Sequence, residues 1–232
     1  MGSSRLPGKS LMTLHGRPIV EWVVSRCMRA RLPSKVALLT TTNRQDDVLV
    51  SWAKNFGVSC FRGDEHNVLA RFQDALNVSA TEHIVRVCCD NPLVCGSEID
   101  RLVEFHLARQ LDYSFNHIPR LGNNYIDGFG AEIFRSEILS AIQTDVVTPE
   151  EREHVTKYFW NRKTELRFGV VPAPPELAYP QYSFDIDTEI DFQRFLRFTS
   201  SGMLKMTAIE ATEALKRKGT LEMFGPQYKK KL

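Results

Sequence analysis

Two patterns of apolar residues alternate along the first half of the chain. Short runs rich in β-forming residues predict buried strands at 35–41, 58–61 and 83–87. Apolar residues that recur at helical spacing predict helices at 19–28, 48–56, 67–78 and 99–106. This alternation predicts an α/β fold with a Rossmann-like, open and mostly parallel sheet that carries helices on both faces.

The second half of the chain has a looser pattern. Its predicted strands are 113–116, 129–134, 167–171 and 183–186. Capping pairs predict helix starts at Ser97 with Asp100, at Thr148 with Glu151, and at Thr188 with Asp191. A last helix is predicted at 207–218. Open α/β sheets bind ligands at the C-terminal ends of their strands, so the candidate binding loops are 40–43, 62–64 and 88–92.

The stretch SSRLPGKS near the N-terminus has the features of an anion-binding loop. Arg5 and Lys9 supply positive charge. Gly8 lets backbone N–H groups turn toward a ligand, and Pro7 stiffens the loop. A solvated basic turn is the alternative. The stretch is not a Walker A loop, because five residues rather than four separate Gly2 from the Gly-Lys-Ser.

Three aspartates in or just after predicted strands are candidate metal ligands. Asp90 precedes a proline in the loop after the third strand, and Asp185 and Asp187 alternate within FDIDTEIDF. Mg²⁺ is usually held by one or two protein carboxylates together with substrate phosphates and water. Turn and cap roles for these aspartates are the alternative.

Composition excludes several other classes of protein. With 30 basic and 28 acidic residues the net charge is +2, which is no footprint for nucleic-acid binding. No apolar run approaches the roughly 20 residues of a membrane helix, and no apolar signal segment is visible. The five cysteines contain no C-x-x-C pair, so we expect reduced thiols in a cytoplasmic protein.

The order and spacing of six segments resemble those of the cytidylyltransferases that make CMP-activated sugar acids. The segments are SSRLPGKSLMTLHGRPIVEWV, VALLTTTNRQDD, VSCFRGDEHNVLARF, IVRVCCDNPLV, EEREHVTKYF and FDIDTEIDF. Within that family the chain resembles the branch of spore coat polysaccharide biosynthesis protein F, and it is similar to CMP-3-deoxy-manno-octulosonate and CMP-acylneuraminate synthetases. We place the nucleotidyltransferase domain at 1–200 and a C-terminal helix with a basic tail at 201–232.

The resemblance implies transfer of CMP from CTP to a sugar acid, with release of pyrophosphate, for surface-glycan biosynthesis. It implies catalytic cations at Lys9 and Arg5 and a Mg²⁺ site at Asp90 and Asp187 with Asp185 nearby. It implies nucleotide contacts at Ser3, Ser4, Thr41, Thr42, Arg62 and Arg71. It implies acceptor contacts at Glu132, Arg152 and His154. A homodimer is left open.

Several of these roles have ordinary structural alternatives. Arg71 and His154 could be solvated helix residues, and Glu132 could pair with a cation. Cys89 stands where the family usually has Gly, and Gly130 stands where relatives often have Asp. These departures keep open a non-catalytic paralogue that binds nucleotide. A GTP- or UTP-dependent sugar-phosphate nucleotidyltransferase also stays open, because the same type of fold serves that reaction.

The resemblance also implies that a strand is missing before the SSRLPGKS loop. In relatives an apolar strand leads directly into this loop, whereas this sequence begins at Met1. We therefore expect Met1 to be an internal start, no strand before Ser10, and a gap between the strands at 36–40 and 84–87. A strand of this kind is normally interior in a doubly wound sheet.

Overall fold

The structure, a computed structural model, describes residues 2–3 and 5–226. The strands are Thr13–Leu14 (β1), Arg17–Pro18 (β2), Ala37–Thr41 (β3), Ser59–Gly63 (β4), His83–Arg86 (β5), Tyr113–Phe115 (β6), Glu132–Arg135 (β7) and Phe168–Val170 (β8). The α-helices are Ile19–Cys27 (α1), Asp47–Phe56 (α2), Val68–Val78 (α3), Gly96–Ala108 (α4), Ser136–Ala141 (α5), Pro149–Glu153 (α6), Lys157–Asn161 (α7), Glu189–Phe198 (α8) and Ala208–Arg217 (α9). In this part of the chain no helix combines the length and the apolar character that crossing a bilayer requires.

The strands form an α/β architecture with mixed pairing, which confirms the predicted fold class. β3 and β4 make a parallel pair, and β5, β7, β6 and β8 follow one another in a second sheet. In this second sheet β6 and β8 are parallel, but β7 is antiparallel to both of its neighbours. The sheet is therefore less parallel than strand–helix alternation indicates, because β7 enters between β5 and β6 in the opposite direction.

The expected gap lies between β3 and β5. These two strands belong to different sheets, and each pairs on one side only with another described strand. No strand occurs in the described residues before Ser10, also as expected. All four residues of β5 are consequently half-exposed, whereas the three residues of β6, inside the same sheet, are buried.

A large apolar cluster joins the helices at the two ends of the chain. Trp22 of α1, Ile99 of α4, Phe195 of α8 and Leu215 of α9 all belong to it. Arg26 of α1 is 1 % exposed inside this region and has no carboxylate partner among the described residues. Its guanidinium donates instead to the backbone carbonyls of Leu93, Val94, Met203 and Leu204. Burial lowers the pKa of Arg26 to about 10.

The helix-capping predictions have mixed outcomes. Thr148 and Thr188 both cap their helices through the predicted capping boxes. The box at Ser97 is wrong: α4 begins at Gly96, and the Asp100 carboxylate accepts from the backbone N–H groups of Arg31 and Leu32. Asp100 therefore anchors the loop after α1.

The predicted strand at 183–186 is also wrong. Ser183 makes only an isolated parallel bridge to Asp127, so no ladder forms in this segment. The Pro-rich stretch before it contains one short 3₁₀ turn, Pro175–Leu177, and is otherwise irregular as expected.

Candidate active site

The N-terminal loop folds so that Lys9 is presented to the ends of two other segments. Gly8 has a left-handed backbone with φ 73°, and a 3₁₀ turn begins at Lys9. Ser3 stabilises the loop by accepting the backbone N–H of Leu6 at 3.2 Å. The loop is thus closed by its own hydrogen bonds. The other predicted serine, Ser4, lies outside the described residues.

Lys9 brings the two predicted metal ligands together. Its Nζ lies 2.9 Å from Asp90 Oδ2 and 3.2 Å from Asp187 Oδ1, and it donates to the carbonyl of Ile186 at 3.0 Å. Arg5 reaches the other oxygen of Asp187 at 2.9 Å. Four sequence-predicted residues, separated by up to 182 positions (187 − 5), therefore form one cluster.

The charges in this cluster stabilise one another. Burial alone would lower the pKa of Lys9, but the carboxylates of Asp90 and Asp187 raise it above its ordinary value. Burial alone would raise the pKa of Asp187, yet Lys9 and Arg5 hold it below its usual range. The Asp187 carboxylate is therefore ionised at neutral pH, as a metal ligand must be.

The donor atoms of this cluster fit a hard divalent cation. Asp90 and Asp187 offer carboxylate oxygens that already share one cation, the Lys9 ammonium. Within residues 2–3 and 5–226, no group of three or more carboxylate, His or Cys side chains could hold a metal without help. Two carboxylates completed by phosphate and water is the arrangement typical of Mg²⁺. Asp185 accepts from Ser183 Oγ next to this pair.

The segment 183–187 aligns Asp90 with a second loop. The N–H of Ile186 donates to the carbonyl of Asp90 at 2.8 Å, and the N–H of Phe184 donates to the carbonyl of Asp127 at 2.9 Å. The N–H groups of alternate residues in an extended segment point to the same side. The loops that carry Asp90 and Asp127 are therefore neighbours along one edge.

The end of β3 is fixed by a buried carboxylate. Asp46 is 1 % exposed and accepts from the hydroxyls of Thr40 and Thr41 at 2.6 and 2.7 Å. These hydrogen bonds outweigh the effect of burial and hold the pKa of Asp46 well below its usual range. Asp46 ends a short 3₁₀ turn and organises the strand end that carries Thr41 and Thr42.

The two predicted nucleotide-side arginines shape the neighbouring loops. Arg62 donates to the carbonyls of Thr41 and Asn43 and forms an ion pair with Asp47 at 2.7 Å. Arg71 donates to the carbonyls at positions 64 and 65. Both guanidiniums therefore hold backbone carbonyls of the 41–43 and 64–65 loops.

The predicted acceptor residues do not join the Lys9 cluster. Glu132 is fully buried, where it pairs with Arg86 and accepts from the Tyr113 hydroxyl. Arg152 lies on a separate cleft of about 400 Å³ between α6 and the start of α3, which is lined by Asp64, His66, Asn67, Pro149, Arg152 and Glu153. His154 is exposed at the end of α6.

The two cysteines that precede Asp90, Cys88 and Cys89, are unreactive thiols. Burial raises the pKa of Cys88 to about 12 and that of Cys89 to about 11. Both thiols therefore stay neutral near pH 7 and are poor nucleophiles. Cys89 packs against the apolar cluster between α1 and α2.

One pair of residues near the aspartates, His117 and Asp127, is not among the site residues predicted from the sequence. His117 Nδ1 lies 3.1 Å from Asp127 Oδ1. Ten positions separate the two residues in an irregular stretch, so no periodic signal marked them. The only local hint was the Asp-Gly turn at Asp127–Gly128.

The fold of this chain is that of nucleotidyltransferases of known structure. It superimposes on CMP:2-keto-3-deoxy-manno-octonic acid synthetase, solved in complex with CTP, with a TM-score of 0.60 at 15% identity, over 84% of this chain and 93% of that one.

The chain belongs to the cytidylyltransferase family, whose sequence model matches residues 1–222. It is similar to a cytidylyltransferase from Leptospira borgpetersenii, with a TM-score of 0.86 and 27% identity over 98% of this chain and 94% of that one. It is also 29% identical to the spore coat polysaccharide biosynthesis protein SpsF of Bacillus subtilis, over 83% of this chain and 80% of the relative. The predicted family is thereby confirmed.

Proposed function

We propose that this protein transfers CMP from CTP to a hydroxyl of a sugar acid and releases pyrophosphate, in the synthesis of a surface glycan. The observation that carries the proposal is the Lys9 cluster, in which two cations and two carboxylates meet at the ends of separate segments. Such a cluster suits a reaction that moves negative charge from one phosphate oxygen to another. Membership of the cytidylyltransferase family supports cytidine as the nucleoside.

The reaction needs no protein nucleophile. The acceptor oxygen attacks the α-phosphorus, a new P–O bond forms, and the bond to pyrophosphate breaks with its electrons on the leaving oxygen. Arg5 and Lys9 stabilise the charge that grows on pyrophosphate. Arg5, whose side chain is 64 % exposed, is accessible to an incoming triphosphate.

Asp90 and Asp187 would hold the divalent cation, which we propose to be Mg²⁺. When bound, it would supply Lewis-acid polarisation of the α-phosphate. The protein's own contribution is to hold the two carboxylates close together through Lys9 and to keep Asp187 ionised through Lys9 and Arg5.

The nucleoside would lie against the end of β3. Asp46 fixes the Thr41 hydroxyl there, and Arg62 fixes the backbone of the same loop. In this proposal Arg62 and Arg71 act by shaping the pocket walls, because their guanidiniums are committed to loop carbonyls.

The test is a pyrophosphate-release assay with Mg²⁺ in which CTP, UTP, GTP and ATP are compared. Each nucleotide is offered with 3-deoxy-manno-octulosonate, with N-acetylneuraminate, with a sugar 1-phosphate, and with no acceptor. We expect release that depends on CTP and on one of the sugar acids. Faster release with UTP or GTP and the sugar 1-phosphate would contradict the proposal. So would nucleotide binding without turnover on any acceptor.

A further inference from the structure

His117 and Asp127 form an ion pair or hydrogen-bonded pair at the edge of the proposed active site. His117 Nδ1 is 3.1 Å from Asp127 Oδ1, and the two side chains are 11 % and 37 % exposed. Within the described residues no hydrogen bond occupies His117 Nε2. One ring nitrogen is thus oriented by a carboxylate while the other is left for a further partner, which is the arrangement of an oriented base.

The backbone places this pair beside the metal-binding aspartates. The carbonyls of Asp127 and Asp90 accept from Phe184 and Ile186, two residues apart on one extended segment. A strand rises about 3.3 Å per residue, so the two hydrogen bonds lie about 7 Å apart. Asp187 follows directly on the same segment. A substrate bound at Asp90 and Asp187 would therefore lie close to the loop that carries Asp127.

Gly130 allows the His117 segment to take up this position. A Cβ at Gly130 would lie 2.1 Å from Asn116 Oδ1 and 2.8 Å from His117 Cβ, closer than real contacts allow. Asn116 itself is fixed, because it donates to the carbonyl of Glu98 at 2.9 Å and accepts from the N–H of Ala131 at 2.8 Å. The lack of a side chain at Gly130 thus makes room for the Asn116 amide and for the Cβ of His117.

Several polar and charged groups surround the pair. Asp127 faces His117 directly, and Asp90 lies on the neighbouring loop. The Glu132 carboxylate lies close enough to interact electrostatically with His117, although its main partner is the Arg86 guanidinium. The neutral thiol of Cys88 lies among these groups. A carboxylate that accepts from Nδ1–H leaves Nε2 as the acceptor nitrogen of a neutral ring.

We propose that His117 is the general base that removes the proton from the attacking hydroxyl of the acceptor, and that Asp127 is its positioning residue. This proposal rests on the proposed CMP transfer. As the hydroxyl oxygen bonds to the α-phosphorus and the pyrophosphate oxygen departs with its electron pair, the hydroxyl proton moves to His117 Nε2. Nδ1–H remains bonded to Asp127, and the Nε2 proton passes to solvent after the product leaves.

The first test is the His117→Gln variant, assayed with CTP, Mg²⁺ and each of the two sugar acids named above. General-base catalysis typically contributes about 10²–10⁴-fold, so we expect kcat to fall by that order with the KM for CTP unchanged. The acidic limb of the kcat–pH profile should disappear. Imidazole added to His117→Ala should restore part of the rate, which a purely structural role would not produce.

His15→Asn is the matched control, because His15 lies in the β1–β2 turn with φ 49°, a conformation that Asn tolerates. It should keep the wild-type rate and pH profile. Thermal stabilisation by CTP, measured for every variant, shows whether folding and nucleotide binding survive. A His117→Gln enzyme with wild-type kcat and an intact acidic limb overturns the general-base assignment.

A second measurement separates this proposal from the proposed function. If the wild-type protein binds CTP but transfers CMP to neither sugar acid, the proposed function fails. The pair is then judged by ¹⁵N NMR of the wild-type histidines in the CTP complex. A neutral tautomer with the proton on Nδ1 of His117 supports the assignment, and a proton on Nε2 overturns it because that nitrogen could not accept another.

Discussion

His106 should make the protein sensitive to acid. Its ring is fully buried between α4 and the second sheet, with Nδ1 2.9 Å from the Ser114 hydroxyl, and Nε2 has no hydrogen-bond partner among the described residues. Burial, helped by the nearby charges of His83, Arg135 and Arg167 and opposed by Asp112, lowers the pKa of His106 to about 4. The folded protein therefore keeps this imidazole neutral, whereas the unfolded chain protonates it near its ordinary pKa.

The size and sign of the effect follow from linkage. The folded pKa lies below the unfolded value of 6.5, so stability is fully present above 6.5 and is lost as the pH falls toward 4. Each pKa unit corresponds to about 1.4 kcal/mol, so His106 alone should cost about 2 kcal/mol of unfolding free energy between pH 7 and pH 4.5. For a chain of this size that corresponds to a drop in Tm of roughly 4–8 °C.

The assay is urea unfolding of the wild type and His106→Gln at half-unit steps from pH 7 to pH 4.5. The variant cannot gain a proton there, so its stability should fall about 2 kcal/mol less than that of the wild type over this range, whatever its stability at pH 7. His66→Gln, at an 89 % exposed side chain, is the control and should follow the wild type. Parallel wild-type and His106→Gln curves would show that His106 is not the source of the acid sensitivity.

Three further predictions concern the proposed active site and its support. Lys9→Ala and Asp187→Asn should each reduce the rate of pyrophosphate release by the equivalent of about 3–4 kcal/mol. The thermal midpoint without ligand should stay high. Near wild-type turnover in either variant would show that the substituted residue has no part in the reaction. Glu132→Gln should destabilise the fold by about 3–5 kcal/mol in urea, because the charge of Arg86 loses its buried partner; adding Arg86→Met should recover much of this loss, and strictly additive losses would contradict the pairing. Saturating CTP should raise the thermal midpoint more than UTP, GTP or ATP does, and equal shifts would remove the support for cytidine selection.

The members of the Lys9 cluster could be identified from the sequence, because each of them lies in a short, recognisable local pattern. Gly8 and Lys9 sit in one loop, Asp90 follows a strand, and Asp187 precedes a capped helix. Strand-end loops of an α/β sheet converge in space, so local patterns were enough to bring these residues together.

Glu132 shows where local patterns run out. The sequence predicts a strand that contains Glu132, but it does not identify Arg86 as its partner. Arg86 lies 46 positions earlier, and the two side chains meet because β7 pairs antiparallel with β5. Nothing local predicts that direction of pairing. The predicted capping box of Ser97 and Asp100 is wrong for the same reason. The Asp100 carboxylate binds the backbone N–H groups of Arg31 and Leu32, which are distant in sequence.

Arg26 links the loop that carries Asp90 to the C-terminal segment. Its guanidinium donates to the carbonyls of Leu93 and Val94, just after Asp90, and to those of Met203 and Leu204 in the 3₁₀ turn at Ser201–Lys205. A cut at the proposed boundary of residue 200 would remove two of these four acceptors. A protein shortened there should therefore hold the loop around Asp90 less firmly, although it keeps every residue of the proposed site.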